Sequence, residues 1–420
     1  MTRLRRITPA AVPDLRRDPV DPETLVRAGR IVDDVRARGE TALRTWSVEL
    51  GDLPVPDAPL VLGPEALAAA WGRLSSSAQG VLRRSADRIR AFAMAQAAAL
   101  GPVEVPVPGG RAGLRYAPVE RAGCYAPGGR FPLPSSVLMT AVTARAAGVA
   151  EVWVASPRPT DETLAAAHVA GADGVLVVGG AQAIAAMAFG AGPVPAVDCI
   201  VGPGNRWVTA AKQRVAGRVR IDMLAGPSEL VVIADDTADA GRVAADLLAQ
   251  AEHDPDALPV LIALCESVVA RVELALEDQL VDLPTADIAR RALDNGFVVL
   301  AADLDEACAL SDRLAPEHLA VQVEDLAGAR ARLQHYGALF IGEEAAEVLG
   351  DYGAGPNHVL PTGGTARSVG ALSVVTFLRV QTWLDLDDMA AARTMVDDCV
   401  SLARMEGLEA HARAAAARRT

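Results

Sequence analysis

The chain has 420 residues, more than one ordinary core accommodates, so two or more domains are expected. Half of it is apolar (51%) and only 4% is aromatic, a mixture that suits parallel strands covered on both faces. A formal net charge of −13 argues against nucleic acid or an anionic membrane as the main partner. The five cysteines (Cys124, Cys199, Cys265, Cys308 and Cys399) form no CxxC pair or disulfide framework, and each reads as a small buried hydrophobe in a reducing compartment. No apolar h-region follows Arg3, Arg5 and Arg6, and no uncharged run approaches the roughly 18 residues that span a bilayer; a cytoplasmic protein is expected.

Residues 1–20 have no clear period and read as an irregular arm. Asp21-Pro22-Glu23 then supplies an N-cap, a proline for the first helical position and an acid for the first turn, and Gly39 closes that helix. Helical patterns continue over 40–50, 64–71 and 75–96, so the first quarter is mainly helical. From about 115 the texture becomes alternating. Strands are expected at 151–156, 174–178 and 229–234, separated by helices at 136–147, 161–170, 181–189 and 205–215. A second set follows, with strands at 259–264, 297–301 and 337–341 and helices at 238–251, 285–294 and 324–334. Two doubly wound α/β halves are the natural reading. After Thr376 the pattern turns helical, at 386–405 and 408–418.

Only six histidines occur, and four lie in polar clusters. QAEHD (250–254) ends a helix at Pro255, with Gln250 and His253 on one side of its last turn. APEHL (315–319) sets an acid beside an imidazole, a glycine-rich loop carries Asp351 and His358, and EGLEAH (406–411) breaks one helix and starts another. His253, His411, Asp351 and an oxygen of Gln250 could complete one Zn²⁺ shell, because imidazole favours zinc over harder cations. Taken singly, each histidine reads better as a helix cap or the partner of its neighbouring acid than as a ligand; His168 and His335 keep that reading. The turns GGAQ (179–182) and GPGN (202–205) each follow a strand and open a helix, where amides could approach a phosphate; neither is a GxGxxG, and tight turning alone explains both.

In order along the chain, ERAGCYAPGG (120–129), GGAQAIA (179–185), GPGN (202–205) with VTAAK (208–212), DMLAGPSE (222–229), QAEHD, APEHL, DYGAGPNHVLPTGG (351–364) and EGLEAH resemble the motifs of histidinol dehydrogenases. The similarity runs from about residue 25 to 412. It implies an NAD- and zinc-dependent oxidation of L-histidinol, through the aldehyde, to L-histidine. By position, Gln250, His253, Asp351 and His411 match the family's zinc ligands, and Glu317 and His318 its acid–base pair. Ser228, His358 and Glu406 match substrate contacts beside His318 and the metal ligands; Tyr125, Gln182 and Asn205 match NAD contacts.

The fold implied is α/β, two incomplete Rossmann-like doubly wound domains with a helical N-terminal region. A C-terminal helical segment is exchanged in a homodimer, so that Glu406 and His411 serve the neighbouring site. Residues 21–124 with 230–375 are expected as the first domain, 125–229 as the NAD-binding second, and 376–420 as the dimerisation segment after the 1–20 arm. His318 is the expected base for the alcohol proton and Glu317 the residue that activates water on the aldehyde, leaving Cys124 as packing. Two departures stand out, Ser368-Val369-Gly370 after the 363–367 turn and Arg130-Phe131 after Gly129. The rival readings are a relative that oxidises another small alcohol, such as a hydroxysulfonate, and an inactive binding protein; retention of Glu317, His318, Ser228 and Glu406 argues against both.

Overall fold

A computed structural model describes residues 4–13, 20–128 and 132–419, so the Arg130-Phe131 departure lies outside the described residues. The run ELVVIA at Glu229–Ala234 is buried at all six positions, as a strand covered on both faces must be. Its side chains divide with period two: Leu230, Val232 and Ala234 join one apolar cluster, Val231 and Ile233 the other. This strand is central in a six-stranded parallel sheet ordered Arg5–Ile7, Phe297–Leu300, Leu258–Ala263, Glu229–Ala234, His318–Gln322, Ala338–Ile341. Counted from Glu229, five consecutive strands lie in the order 3-2-1-4-5.

A second six-stranded sheet repeats that order. It runs Val61–Leu62, Gly174–Leu176, Glu151–Ala155, Arg121–Tyr125, Cys199–Val201, Arg220–Ile221, parallel except for the first strand. Two α/β halves were therefore readable in the sequence, but their boundaries were not. Strand Arg121–Tyr125 is central to the second sheet, and helix Pro22–Arg38 packs on Gly180–Phe189 and Arg206–Val215 of that unit. Helix Pro64–Arg73 packs on Asp161–Ala170. The helices over 22–98 and strand Arg121–Tyr125 thus belong to the second unit rather than the first, while Val103–Val107 and Gly110–Pro118 lie in a separate three-stranded sheet. The expected arm holds an edge strand, Arg5–Ile7, parallel to Phe297–Leu300.

Local signals held at the first helix. The Asp21 carboxylate accepts from Thr24 N (2.9 Å), Pro22 stands first, and Gly39 leaves the helix at φ +59°. The segment after Thr376 differs from its helical expectation. Leu378–Leu386 is a strand, antiparallel to Gly110–Pro118, which pairs in turn with Val103–Val107. Helices Arg393–Met405 and Glu409–Ala416 pack on each other beyond it. This module leaves Val380, Leu384, Leu402 and Met405 exposed. All five cysteines are free, though Cys265 is half-buried and Cys399 exposed, so burial does not hold for every one. No helix among the described residues is long and apolar enough to cross a membrane.

Candidate active site

The two sheets meet across a cleft of about 1300 Å³. The second sheet presents its C-terminal edge: Tyr125 ends one strand, and the 179–182 and 202–205 turns leave two others. That is the switch point where doubly wound sheets bind ligands. The first sheet presents its opposite edge, since Glu229 and His318 each begin a strand there. His253 and Asp351 line the same cleft as Tyr125, Gln182 and Asn205.

His318 is the hub of a buried acid cluster. Its Nδ1 lies 3.2 Å from the Glu229 carbonyl, 3.5 Å from Glu347 Oε1 and 3.6 Å from Glu317 Oε2. Its Nε2 is 3.6 Å from Asp351 Oδ1 and has no hydrogen-bond partner among the described residues. With Nδ1–H donating to the Glu229 carbonyl, Nε2 is the atom left to take a proton. Burial lowers the His318 pKa, but Glu347, then Glu317 and Asp351, outweigh it and raise the imidazole to about 10. Burial lifts Glu317 to about 7, although His318 and the backbone amide of Glu229 (2.9 Å) oppose the rise. Glu347 is lifted to about 8 by burial in the same way. Asp351 goes the other way: burial raises it, but His318 and the neighbouring histidines outweigh that and hold it low. The protons belong to the cluster rather than to single residues. His358 sits behind it, its Nδ1 2.9 Å from the Asp351 carbonyl and its Nε2 3.3 Å from Ser136 Oγ, with burial depressing its pKa.

Gln250 closes helix Ala240–Ala251 with its side chain fully buried, and neither Nε2 nor Oε1 finds a partner among the described residues. A carboxamide is rarely left so. One turn on, His253 brings an imidazole nitrogen into a group with Glu347 and Asp351 whose ligand atoms all lie within 4.8 Å of one another. Glu347 escaped the sequence reading; its signal was the i,i+4 spacing to Asp351 on one short helix, Glu347–Asp351. Glu406 and His411 are exposed on the C-terminal module and are not among the residues lining the cleft. Ser228 is half-buried; its carbonyl accepts from Leu258 N (3.0 Å), fixing the start of strand Glu229–Ala234.

On the other wall, the glycine-rich turns are already furnished. Gly179 N donates to Asp52 Oδ2 (2.9 Å) and Gly180 N to Tyr125 Oη (3.1 Å), and Gln182 Nε2 also donates to Asp52 Oδ2 (2.9 Å). The Asn205 side chain caps helix Arg206–Val215, accepting from Trp207 N (3.1 Å) and Val208 N (3.3 Å). Its loop is tied down by Lys212, whose Nζ donates to Gly202 O (2.9 Å) and pairs with buried Asp222, which accepts from Gly202 N (2.7 Å). Gly202, at φ +115°, must be glycine, since a Cβ would meet the Tyr125 carbonyl at 2.0 Å. Cys124 is fully buried with its thiol pushed up to about 12 by burial, so it is packing, as expected.

The profile of the histidinol dehydrogenase family matches residues 16–419. The chain belongs to the histidinol dehydrogenase family. The histidinol dehydrogenase of Thermus thermophilus is 47% identical to it over 94% of each chain, and that of Nitratidesulfovibrio vulgaris 46% identical over 96% of this chain and 94% of the other. The crystal structure of histidinol dehydrogenase from Elizabethkingia anophelis superposes with a TM-score of 0.90 at 30% identity, covering 96% of this chain and 94% of that one. As a member of this family the chain is an NAD-dependent oxidoreductase. The metal that histidinol dehydrogenases imply fits the residues present: His253, Glu347 and Asp351 bring one imidazole and two carboxylates within 4.8 Å of one another, and the orphaned, fully buried Gln250 carboxamide lies one turn before His253. The Ser368-Val369-Gly370 departure lies at the surface beyond the Thr365–Arg367 turn, where Val369 packs on the second unit's core.

Proposed function

We propose that this chain oxidises L-histidinol to L-histidine through L-histidinaldehyde in one cleft, using two NAD⁺ in turn. The observation that carries the reading is the buried His318 cluster, whose Asp351 lines, with His253, the same cleft as Tyr125, Gln182 and Asn205. The two α/β halves are read as incomplete Rossmann-like units, the second holding the dinucleotide.

With bound zinc lowering the imidazole from the high value that its acid neighbours give it, His318 Nε2 would take the hydroxyl proton as hydride passes from the carbinol carbon to NAD⁺. Glu347, behind Nδ1, orients the ring and favours the imidazolium that results. The second oxidation needs an oxygen from water, and Glu317, raised to about 7, is poised to take a proton from that water. One zinc per subunit would be held by Gln250, His253 and Asp351, with His411 supplied by the partner chain. When bound, zinc supplies a Lewis-acid anchor for the substrate's imidazole and amine, and its charge draws neighbouring pKa values down. Ser228, His358 and Glu406 are read as substrate contacts.

The dimer reading is supported by the C-terminal module. It carries Glu406 and His411 away from its own chain's cleft and exposes Val380, Leu384, Leu402 and Met405, an apolar face suited to a second copy. Five free cysteines suit a cytoplasmic setting. The test is product analysis with purified, zinc-loaded protein. L-histidinol with NAD⁺ should yield L-histidine, while a hydroxysulfonate should not be turned over; the reverse preference would reject histidinol as substrate.

A further inference from the structure

In doubly wound sheets the carboxylate that receives the adenosine ribose stands at the end of the second strand. Here that strand, Glu151–Ala155, ends in Ser156-Pro157-Arg158, with no acid and a cation instead. Taken alone, such an end suits a 2′-phosphate. The structure brings an acid to the same place from elsewhere. Asp52 follows helix Glu40–Glu49 in the N-terminal region and lines the cleft beside Arg158 and the 179–182 turn.

Its placement is rigid. Gly51 turns the chain at φ +77°, Asp52 N and Leu53 N both donate to Ser47 O (2.8 and 3.0 Å), and Leu53 is buried in the core. One oxygen, Oδ2, holds the Gly179 amide and the Gln182 carboxamide. A carboxylate has about four acceptor sites, so capacity remains for hydroxyl donors. Because Asp52 occupies the start of helix Gly180–Phe189, a phosphate arriving there would meet like charge. Arg158 is the cation that weighs on Asp52, and its Nη1 donates to the adjacent Gly51 carbonyl (3.1 Å). The turn leaves strand Gly174–Leu176, which lies beside the second strand on the 3-2-1 side of the switch point, the adenosine half of such sheets.

We propose that Asp52 receives the adenosine ribose hydroxyls of the dinucleotide and, by neutralising Arg158 and repelling a 2′-phosphate, selects NAD over NADP. This rests on the dehydrogenase reading of the cleft, but it is tested without turnover. The probes are ADP-ribose and 2′-phospho-ADP-ribose, with binding measured by calorimetry on zinc-loaded full-length protein. Wild type should prefer ADP-ribose. Asp52→Asn keeps an oxygen for Gly179 N–H and Gln182 and removes only charge. It should weaken ADP-ribose by about tenfold, as loss of a charged hydrogen bond does, and strengthen the 2′-phosphorylated probe. Adding Arg158→Ala should abolish that gain. Arg158→Ala alone, away from the turn, should widen the wild-type preference, so the idea stays testable if Asp52→Asn folds poorly. An unchanged ratio of the two affinities in Asp52→Asn, or no preference in wild type, overturns the proposal. Failure of histidinol turnover with the probe preference intact would instead reject the dehydrogenase reading alone.

Discussion

Replacing Gln250 with Leu should make the metal-free protein more stable and the zinc-bound protein less so. The Gln250 carboxamide is fully buried and neither of its polar atoms has a partner among the described residues. Leaving such a group unsatisfied costs about 1–3 kcal/mol, which an apolar side chain of similar volume removes. Imperfect repacking takes back up to about 1.5 kcal/mol, leaving a net gain on the order of 1 kcal/mol. In a chain this long that is a rise in Tm of about 2–4 °C at most. With zinc the order should reverse, because metal at about a hundredfold excess over Kd adds roughly 2.7 kcal/mol to a protein that binds it. A variant lacking one ligand forfeits part of that gain. The assay is thermal unfolding of both proteins in chelator and across a zinc titration, with bound metal measured in parallel. A Leu variant that melts below wild type in chelator and retains full zinc content would show that Gln250 is an ordinary core residue.

Three further outcomes follow from the same geometry. Glu317→Gln should spare oxidation of histidinol to the aldehyde relative to oxidation of supplied aldehyde, whereas His318→Ala should impair both; equal losses in the two half-reactions of Glu317→Gln would remove the division of labour. Mixing His411→Ala with His318→Ala chains under subunit exchange should restore about a quarter of wild-type activity, since one site of each mixed dimer is intact; no recovery despite proven heterodimers would place both residues in one chain's site. Burial raises Asp246 to about 6 against an ordinary 3.8, so ionising it in the folded protein is unfavourable. The stabilising advantage of Asp246→Asn, which keeps an acceptor for Gln322 Nε2, should therefore be absent below about pH 4, grow as pH rises to about 6 and stay level above it. A constant difference across that range, seen in denaturant titrations, would contradict the assignment.

Much of the fold was legible because its signals are local. Continuous apolar runs such as Glu229–Ala234 and caps such as Asp21 and Gly39 announce themselves within a few residues. Strand His318–Gln322 was hidden because its first residues read as a catalytic motif, and Leu378–Leu386 because it is exposed along most of its length. Which sheet the N-terminal helices cover is a tertiary matter, since an amphipathic helix carries no label for its partner. The same limit applied within the site. His253, His318, Asp351 and His358 were found through their motifs, but Glu347 lay on a short helix that carries no motif, and Asp52 meets Gly179 across 127 residues of sequence. Glu406 and His411 were legible only as family positions, and the single chain leaves them exposed.

The most direct measurement is the stoichiometry of reduced cofactor. Purified, zinc-loaded protein is given limiting L-histidinol and excess NAD⁺, and NADH is followed to completion by absorbance while the product is identified. Two oxidations in one cleft, with His318 and Glu317 acting in turn, require two NADH for each L-histidinol consumed and L-histidine as product. One NADH with accumulation of the aldehyde, or no NADH at all, would contradict it.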